Sequence, residues 1–193
     1  MKQTPRTYTK VRRAVAEEAT RERIVSAIME LHEEIGPART TVSAIAERAG
    51  VERLTVYRHF PDETAMLRAC SAHWNALHPP PDLVPASGDP LADSRRMILR
   101  LYDWYRTNAG MLIQITTDAR QMPLVAELVA PFADYLDQLA AELDGRWPGR
   151  SARRAQTIRH ALELSTWRSL DRIAGDDRRA AALAVSWLGI LAP

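Results

Sequence analysis

Residues 41–61 decide the fold, and they read TVSAIAERAGVERLTVYRHFP. Thr41 can cap a helix that runs to Ala49, where Gly50 ends it after about two turns. A second short helix is predicted at once, over residues 53–60. Two short helices joined by a tight glycine turn match the helix-turn-helix arrangement, in which the small turn lets the two helices cross closely.

The segments on both sides of this stretch are also predicted to be helical. Apolar residues recur three and four positions apart, and no sustained alternation predicts a strand. The preceding helix should end near Ile35, before Gly36-Pro37, and Asp62 can cap the following one. A proline-rich loop is predicted over 78–91. Beyond it, the predicted helices cover about 90–107, 110–119, 123–144, 151–174 and 177–191. The expected fold class is therefore all-α, with a three-helix helix-turn-helix head and a larger helical domain.

Charge is distributed unevenly along the 193 residues. Residues 1–16 carry five cations and no acid, whereas the remaining 177 residues carry 21 cations and 24 acids, a net −3. A basic arm of this kind can lie on a polyanion such as nucleic acid, or it can be a solvated tail. The predicted organisation is a basic arm over 1–16 followed by two domains, over 17–75 and 76–193.

Several classes of protein are excluded by composition and spacing. Cys70 is the only cysteine, so no internal disulfide or cysteine-based metal site can form, and a cytoplasmic location is expected. The histidines are scattered without metal-ligand or catalytic spacing, and no glycine-rich phosphate loop follows a strand. No run of about 20 apolar residues could span a membrane. We therefore expect no catalytic site, no metal, no cofactor and no membrane partner.

The second short helix should expose a face suited to DNA. Val56 and Phe60 lie one turn apart and can both point inward. The opposite face then carries Arg53, Leu54, Thr55, Tyr57, Arg58 and His59. Arg53 can contact guanine, or it can form a salt bridge with Glu52 or Glu47. Leu54 and the Thr55 methyl can touch a thymine methyl, or they can fill the rim of the core.

Residues 20–67 resemble the DNA-binding domain of the TetR family of bacterial repressors. The resemblance rests on Ile45-Ala46, Ala49-Gly50-Val51, Thr55-Val56-Tyr57 and His59-Phe60-Pro61. It implies contacts to the DNA backbone or neighbouring bases from four positions, namely Thr41, Thr55, Tyr57 and His59. Thr41 can instead be only a cap, Tyr57 can cover the core, and His59 can pair locally. Arg39, just before the cap, is a further candidate for a phosphate contact.

Two positions depart from the family pattern. Glu52 stands where a small hydroxyl residue is usual, and Glu63 stands where a lysine is common. Both place an acid near the expected DNA backbone, where repulsion weakens binding. The basic arm can compensate by entering the minor groove, with Arg6, Arg12 and Arg13 as the candidates.

The resemblance also implies that 17–75 is a DNA-binding domain and that 76–193 is a ligand-binding and dimerisation domain with a small-molecule pocket. All five tryptophans lie after residue 73, among methionines and other apolar residues. Such a set suits a small apolar or aromatic effector, although an aromatic stripe at helical spacing can equally be core. The candidate pocket residues are Trp104, Tyr105, Met111, Gln114, Thr117 and Trp167.

The last predicted helix is apolar nearly all round between residues 180 and 191. It is too short to cross a bilayer, so burial on two sides, against its own domain and against a second copy, explains the pattern. The candidate interface residues are Ile158, Leu162, Leu183, Trp187 and Leu188.

Together these observations predict a ligand-responsive regulator that binds a palindromic double-stranded DNA operator as a homodimer and acts as a repressor. The alternative, suggested by Glu52 and Glu63, is a helical protein that binds a small molecule or a partner through its body and whose DNA-binding head has decayed.

Overall fold

The computed structural model describes the backbone of residues 5–189 and the side chains of residues 10–189. This range contains ten α-helices and no strand, which confirms the predicted all-α class. The helices are α1 (Pro5–Ile35), α2 (Val42–Ala49), α3 (Arg53–His59), α4 (Glu63–Leu77), α5 (Pro90–Thr107), α6 (Ala109–Asp118), α7 (Pro123–Asp144), α8 (Ala152–Ala161), α9 (Leu164–Ala174) and α10 (Asp177–Gly189). None of these helices is long and apolar enough to span a membrane.

The chain divides into two compact units. One consists of the residues up to 78 together with 110–128, and the other of 79–109 together with the residues from 129 onward. This division differs from the sequence-contiguous domains 17–75 and 76–193, because residues 110–128 belong with the amino-terminal unit.

The first unit has a core shared by α1 to α4. Ile24 and Ile28 of α1 are fully buried, as is Val56 of α3. The other buried members are Val25, Ala27, Leu31, Ile45, Ala46, Ala49, Phe60, Met66 and Cys70. Each of the four helices contributes side chains, and Val56 places the inner face of α3 in this shared core.

Two hydrogen bonds near the end of α1 join α6 to the first unit. The backbone N–H of Ala38 donates a 2.8 Å hydrogen bond to the Asp118 carboxylate, and Gln114 Nε2 donates to the Glu34 carbonyl at 3.2 Å. These bonds satisfy polar backbone groups that the end of a helix leaves open. The partners are 80 residues apart, so local sequence patterns do not reveal them.

The second unit differs from the prediction at one helix. Residues 151–174 form two helices, not one, because Glu163 has extended backbone angles. The break leaves the carbonyls of Ala161 and Leu162 without helical partners, and they accept hydrogen bonds from the hydroxyls of Tyr102 and Tyr105 at 2.7 and 2.6 Å. The prediction of one helix over 151–174 was wrong. Periodicity could not reveal the break, because the hydroxyls that donate to these two carbonyls lie on α5, about 60 residues away.

The loop before α5 is held by a buried carboxylate. Asp93 is only 1% exposed and accepts hydrogen bonds from Ser87 and from the guanidinium groups of Arg96 and Arg146. Arg96 also donates to the Pro85 carbonyl. A buried charge with several donors is satisfied, and the network fixes the loop against both α5 and the segment after α7.

Candidate nucleic-acid interface

The turn between α2 and α3 is closed by backbone hydrogen bonds. Gly50 lies in the left-handed region, with φ 65° and ψ 43°, and its N–H points at the carbonyls of Ala46 and Glu47. The N–H of Val51 donates to the Ala46 carbonyl at 3.0 Å. Glycine adopts this conformation without the steric cost that other residues incur. The predicted helix-turn-helix geometry is therefore present.

The two faces of α3 are clearly distinguished by exposure. Val56 and the following Phe60 are buried, at 0% and 2% exposure. Leu54 and Tyr57 are 80% and 42% exposed. A leucine this open on a helix whose other face is buried has no role in the core of the single chain. The predicted DNA-facing residues divide into the exposed Arg53, Leu54, Tyr57 and Arg58 and the half-buried Thr55 and His59.

Arg53 does not form the salt bridges that were its alternative role. Among the described residues, no carboxylate of Glu52, Glu47 or any other residue lies within 4.0 Å of its guanidinium nitrogens. Glu52 caps α3 without a side-chain hydrogen bond and is exposed. Within the described part of the chain, Arg53 is therefore an unpaired cation at the first position of α3.

His59 has a ring nitrogen that lacks a partner. Its Nε2 is buried, and no hydrogen-bonding atom of the described chain reaches it. Buried polar atoms are almost always hydrogen-bonded, so an unsatisfied one calls for a specific explanation. A turn of the ring toward the surface would allow Nε2 to meet an external acceptor.

Thr41 and Arg39 both have local structural roles. The Thr41 hydroxyl oxygen accepts a hydrogen bond from the Ala44 N–H at 3.2 Å, as predicted for a cap. Arg39 Nε donates to the Ile35 carbonyl at the end of α1, at 2.6 Å. Both side chains remain exposed. Their caps use one side-chain atom each, which leaves the Thr41 O–H and the other Arg39 nitrogens for a further contact.

Glu63, one of the two acids that depart from the family pattern, lies beside the acid that caps α4. Glu63 occupies the first turn of α4 and is exposed. Its neighbour Asp62 caps that helix by accepting from the Ala65 N–H at 2.8 Å. Acidic residues at this end of a helix are stabilised by its dipole. The presence of an acid at position 62 is therefore explained by its cap on α4, and the presence of an acid at position 63 is explained in part by the helix dipole.

Two cations beside the motif were not singled out from the sequence. Arg21 lies over the Phe60 ring, with Cζ 5.1 Å from the ring centre. Arg23 points a nitrogen at the Ala49 carbonyl, 3.5 Å away at the end of α2. Both contacts join residues more than 25 positions apart, and no local spacing predicts them. Arg23 therefore lies next to the turn, whereas Arg21 lies at the carboxy-terminal end of α3 and also forms a 3.8 Å salt bridge with Glu18.

The predicted basic arm is helical where the structure describes it. Residues from 5 onward continue α1, and the side chains of residues 10–19 are exposed. Arg13 forms a 3.3 Å salt bridge with Glu17, and Arg12 lies on the same solvent-exposed segment. The Arg6 side chain lies outside the described residues. A rigid helix carries these charges away from the core.

Three of the candidate effector residues form an aromatic cluster in the second unit. Tyr105 is fully buried, and burial raises the pKa of its hydroxyl well above the usual value, so it remains a neutral donor. Trp167 is 4% exposed and donates its Nε1–H to Asp177 at 3.0 Å. Trp104 is half-buried and stacks on Phe132, with ring centres 5.4 Å apart. Tyr105 and Trp167 are therefore core residues of the single chain.

The other three candidates lie on α6. Met111 is 4% exposed, and Gln114 is engaged with the Glu34 carbonyl. Thr117 donates its hydroxyl to the Ile113 carbonyl at 2.7 Å, within its own helix. These three belong to the first unit, whereas the aromatic cluster belongs to the second.

The candidate interface residues separate into two groups. Ile158, Leu162 and Leu188 are 0% exposed and pack within the single chain. Leu183 is 41% exposed and Trp187 is half-buried, with its ring stacked on His160. Only this second group has surface that a second copy could cover. No group of three or more metal-binding side chains occurs among the described residues.

Comparison with known proteins agrees with this geometry. Residues 24–70 match the family model described as bacterial regulatory proteins, tetR family. No curated protein matches the chain.

Solved structures share the fold over most of its length. A transcriptional regulator from Rhodococcus sp. Rha1 has 21% identity and a TM-score of 0.63, covering 87% of this chain and 95% of its own. A Clostridium perfringens protein described as a fatty acid metabolism regulator has 14% identity and a TM-score of 0.62, covering 84% and 94%. A tetR family transcription regulator from Shewanella sp. PV-4 has 16% identity and a TM-score of 0.58, covering 86% and 96%.

The family match covers the helices α2 and α3 whose turn and exposed face are described above, and the likeness to solved structures extends the fold to the rest of the chain. Residues 24–70 are therefore similar to the domain that the model of the tetR family of bacterial regulatory proteins describes, with the helix-turn-helix of α2 and α3 inside the match, and the remainder of the chain shares the fold of the solved regulators.

Proposed function

We propose that this chain is a repressor that binds a palindromic operator as a homodimer and leaves it when a small effector binds. The observation that carries the DNA-binding part is the exposed face of α3, with an arginine that pairs with no described carboxylate and an 80% exposed leucine on a helix fixed by its buried face. A rigid helix of this kind presents its side chains to the major groove in a defined register.

The exposed side chains suit two kinds of contact. Arg53 can donate two hydrogen bonds to one guanine edge, and Leu54 and the Thr55 methyl can pack against a thymine methyl. The remaining candidates serve the DNA backbone, which fixes the position of the protein on the duplex. They are Arg39, Thr41, Tyr57, Arg58 and His59. For His59, a phosphate oxygen would supply the acceptor that its Nε2 lacks.

The helical form of the amino-terminal segment changes its proposed contact. An α-helix with side chains is about 10–12 Å wide, and the minor groove is about 6 Å wide. The helix that carries Arg12 and Arg13 therefore cannot enter the groove as an extended arm would. We assign these cations to phosphates beside the operator, where they offset the repulsion from Glu52 and Glu63.

The proposed homodimer uses the exposed faces of α9 and α10. Ile173 is 76% exposed and Leu183 is 41% exposed, and several other exposed residues of these helices are small. They are Ser165, Ser169, Ala182 and Ser186. Small residues allow helices to approach closely, and exposed apolar side chains at such a face are covered in an interface. A two-fold pair would present two copies of α3 to half-sites about 34 Å apart.

An aspartate at position 183 is expected to dissociate the dimer without unfolding the chain. Leu183 is accessible in the single chain, so Leu183→Asp adds a charge only to the proposed interface, whereas Leu188→Asp places one in the core. Sedimentation should show a folded monomer for the first, and circular dichroism should show loss of helix for the second. Leu77→Asp, at a 57% exposed position on α4, is the matched control and should remain dimeric. A folded Leu183→Asp dimer would contradict the assignment.

A small apolar or aromatic effector is the third part of the proposal. The Trp104 ring is half-buried beside Phe132 and Tyr105, in a unit whose interior is already rich in aromatic side chains. An effector that binds one conformation of the protein better than another shifts the population toward it, and operator and effector must then weaken one another's binding by the same factor.

Replacing Arg53 by alanine is expected to change base preference as well as affinity. A bidentate contact to guanine contributes about 1–3 kcal/mol of discrimination, so binding to the selected site should fall by about 5- to 150-fold. The site is first selected from a random duplex pool, and affinities are then measured on it and on single-base variants. Arg150→Ala, an exposed arginine outside the head, is the control and should leave both properties unchanged.

Two outcomes would contradict this part of the proposal. If Arg53→Ala leaves both affinity and base preference intact, Arg53 does not read a base. If the unaltered chain selects no site from the pool even at low salt, where electrostatic binding is strongest, the decayed-head alternative is supported.

A further inference from the structure

A groove between α5 and α10, in the second unit, is unusual in its lining. It has a volume of about 480 Å³ and is lined by three apolar side chains and three arginines. They are Ala92, Leu99 and Ala181, and Arg95, Arg96 and Arg178. None of the described residues that line it is acidic. A surface that combines apolar side chains with cations and no acid attracts a ligand that is both apolar and anionic.

The three arginines differ in their availability. Arg96 is engaged, because it donates to the Pro85 carbonyl and to the buried Asp93 carboxylate. Arg95 and Arg178 are exposed, and neither forms a salt bridge or a side-chain hydrogen bond with any described residue. Two such guanidinium groups at one groove can each offer a pair of donors to a carboxylate or a phosphate.

A neighbouring groove extends the site along the same two helices. It has a volume of about 520 Å³ and shares Leu99 and Arg178 with the first. Two of its acids are already neutralised, since Asp177 is bound by Arg106 and Asp176 by Arg179. The third acid, Asp103, is exposed and forms no described salt bridge, so the part of the site without an acidic lining residue is the end with Arg95, Arg96 and Arg178. It also lies at the amino-terminal end of α10, where the helix dipole favours an anion.

We propose that the groove between α5 and α10 binds a soluble amphipathic organic anion, whose carboxylate or phosphate group is held by Arg95 and Arg178 and whose apolar part lies on the partly exposed Ala92 and Leu99. The site is separate from the helix-turn-helix, and its test needs no DNA. A negative result would therefore leave the proposed operator binding unaffected, and a failure of operator binding would leave this site unaffected.

Calorimetric titration of the full chain tests the charge requirement. Octyl phosphate and octanoate, kept below their micelle concentrations, should bind saturably with one site per chain. Octyltrimethylammonium, which has the same apolar chain and the opposite charge, should not bind. Inorganic phosphate should bind at least tenfold more weakly than octyl phosphate, because it has no apolar part to place on Leu99.

Paired variants test the residues. Arg95→Gln combined with Arg178→Gln should weaken binding of octyl phosphate at least tenfold, and both positions are exposed, so circular dichroism should be unchanged. Arg150→Gln, an exposed arginine outside both grooves, is the control and should bind as the unaltered chain does.

Each of the following results would overturn the proposal: no binding of either anion, equal binding of the cationic analogue, unchanged binding in the double variant, or equal weakening in the Arg150→Gln control. Vesicles of phosphatidylglycerol distinguish a lipid surface from a free ligand. Cosedimentation with vesicles that depends on Arg95 and Arg178, without binding of soluble octyl phosphate, would also overturn it.

Discussion

Gly36→Ala is expected to destabilise the first unit by about 2–5 kcal/mol, a large effect for one added methyl group. Gly36 has φ 84° and ψ 157°, a region that only glycine occupies readily. A Cβ at this position would also lie 2.6 Å from Asp118 Oδ2 and 3.2 Å from Gln114 Oε1. The methyl group therefore imposes backbone strain and displaces the carboxylate that receives the Ala38 N–H.

Gly50→Ala is a reference variant that adds backbone strain without a close contact. Gly50 also has a positive φ, 65°, but no atom lies within 4 Å of the place that a Cβ would take, so only backbone strain of about 1 kcal/mol is expected. Unfolding in urea gives both free energies. In an Asp118→Ala background the cost of Gly36→Ala should shrink, because the crowded atom is gone. Equal costs for Gly36→Ala and Gly50→Ala would show that the contact with Asp118 is not what makes glycine necessary.

The features that the sequence predicted well are those decided within one or two turns of helix. The cap at Thr41, the left-handed Gly50 and the alternation of buried Val56 with exposed Tyr57 all depend on neighbours at most four residues away. Local interactions therefore determined where α3 begins and which of its faces is apolar.

What the sequence did not predict depends on distant partners. The division of residues 151–174 into α8 and α9 involves tyrosine hydroxyls on α5, and the grouping of α6 with the head involves Asp118 and the Ala38 N–H, 80 residues apart. Hydrogen bonds between such distant residues produce no periodic pattern in the sequence. Periodicity also could not show which apolar residues of the last helix are buried in the chain's own domain and which are left for a second copy. In the structure, α10 buries Leu188 in its own unit and exposes Leu183.

The same distinction applies to the candidate DNA contacts. The exposed face of α3 followed from the spacing of Val56 and Phe60. That Arg53 pairs with no described carboxylate became visible only in three dimensions, because Glu47 and Glu52 were both near enough in sequence to pair. The two arginines of α1 that contact the motif, Arg21 at Phe60 and Arg23 at Ala49, were missed because they are near it only in the folded chain.

His32 gives the second large expected effect, a loss of stability in acid. The side chain is 5% exposed in the core of the first unit, with Nδ1 3.5 Å from Cys70 Sγ. Burial lowers its pKa from 6.5 to about 4, and the charge of Asp118 opposes this shift only in part. Because the folded pKa is below the unfolded one, the unfolded chain binds more protons between these values, and stability rises with pH. The contribution is complete above about pH 6.5 and is lost as the pH falls toward 4.

The size of this effect follows from the shift, about 3 kcal/mol between neutral pH and pH 4. Other groups titrate in the same range, so the quantity to measure is the difference in unfolding free energy between the unaltered chain and His32→Leu at each pH. That difference should move by about 3 kcal/mol in favour of the variant on acidification. His73→Leu, at a half-buried position on α4, is the control for a generic loss of histidine. If protonated His32 were instead held by Asp118 in the folded chain, its folded pKa would exceed the unfolded one and the difference would move in the opposite direction, so the sign alone decides between burial and ion pairing.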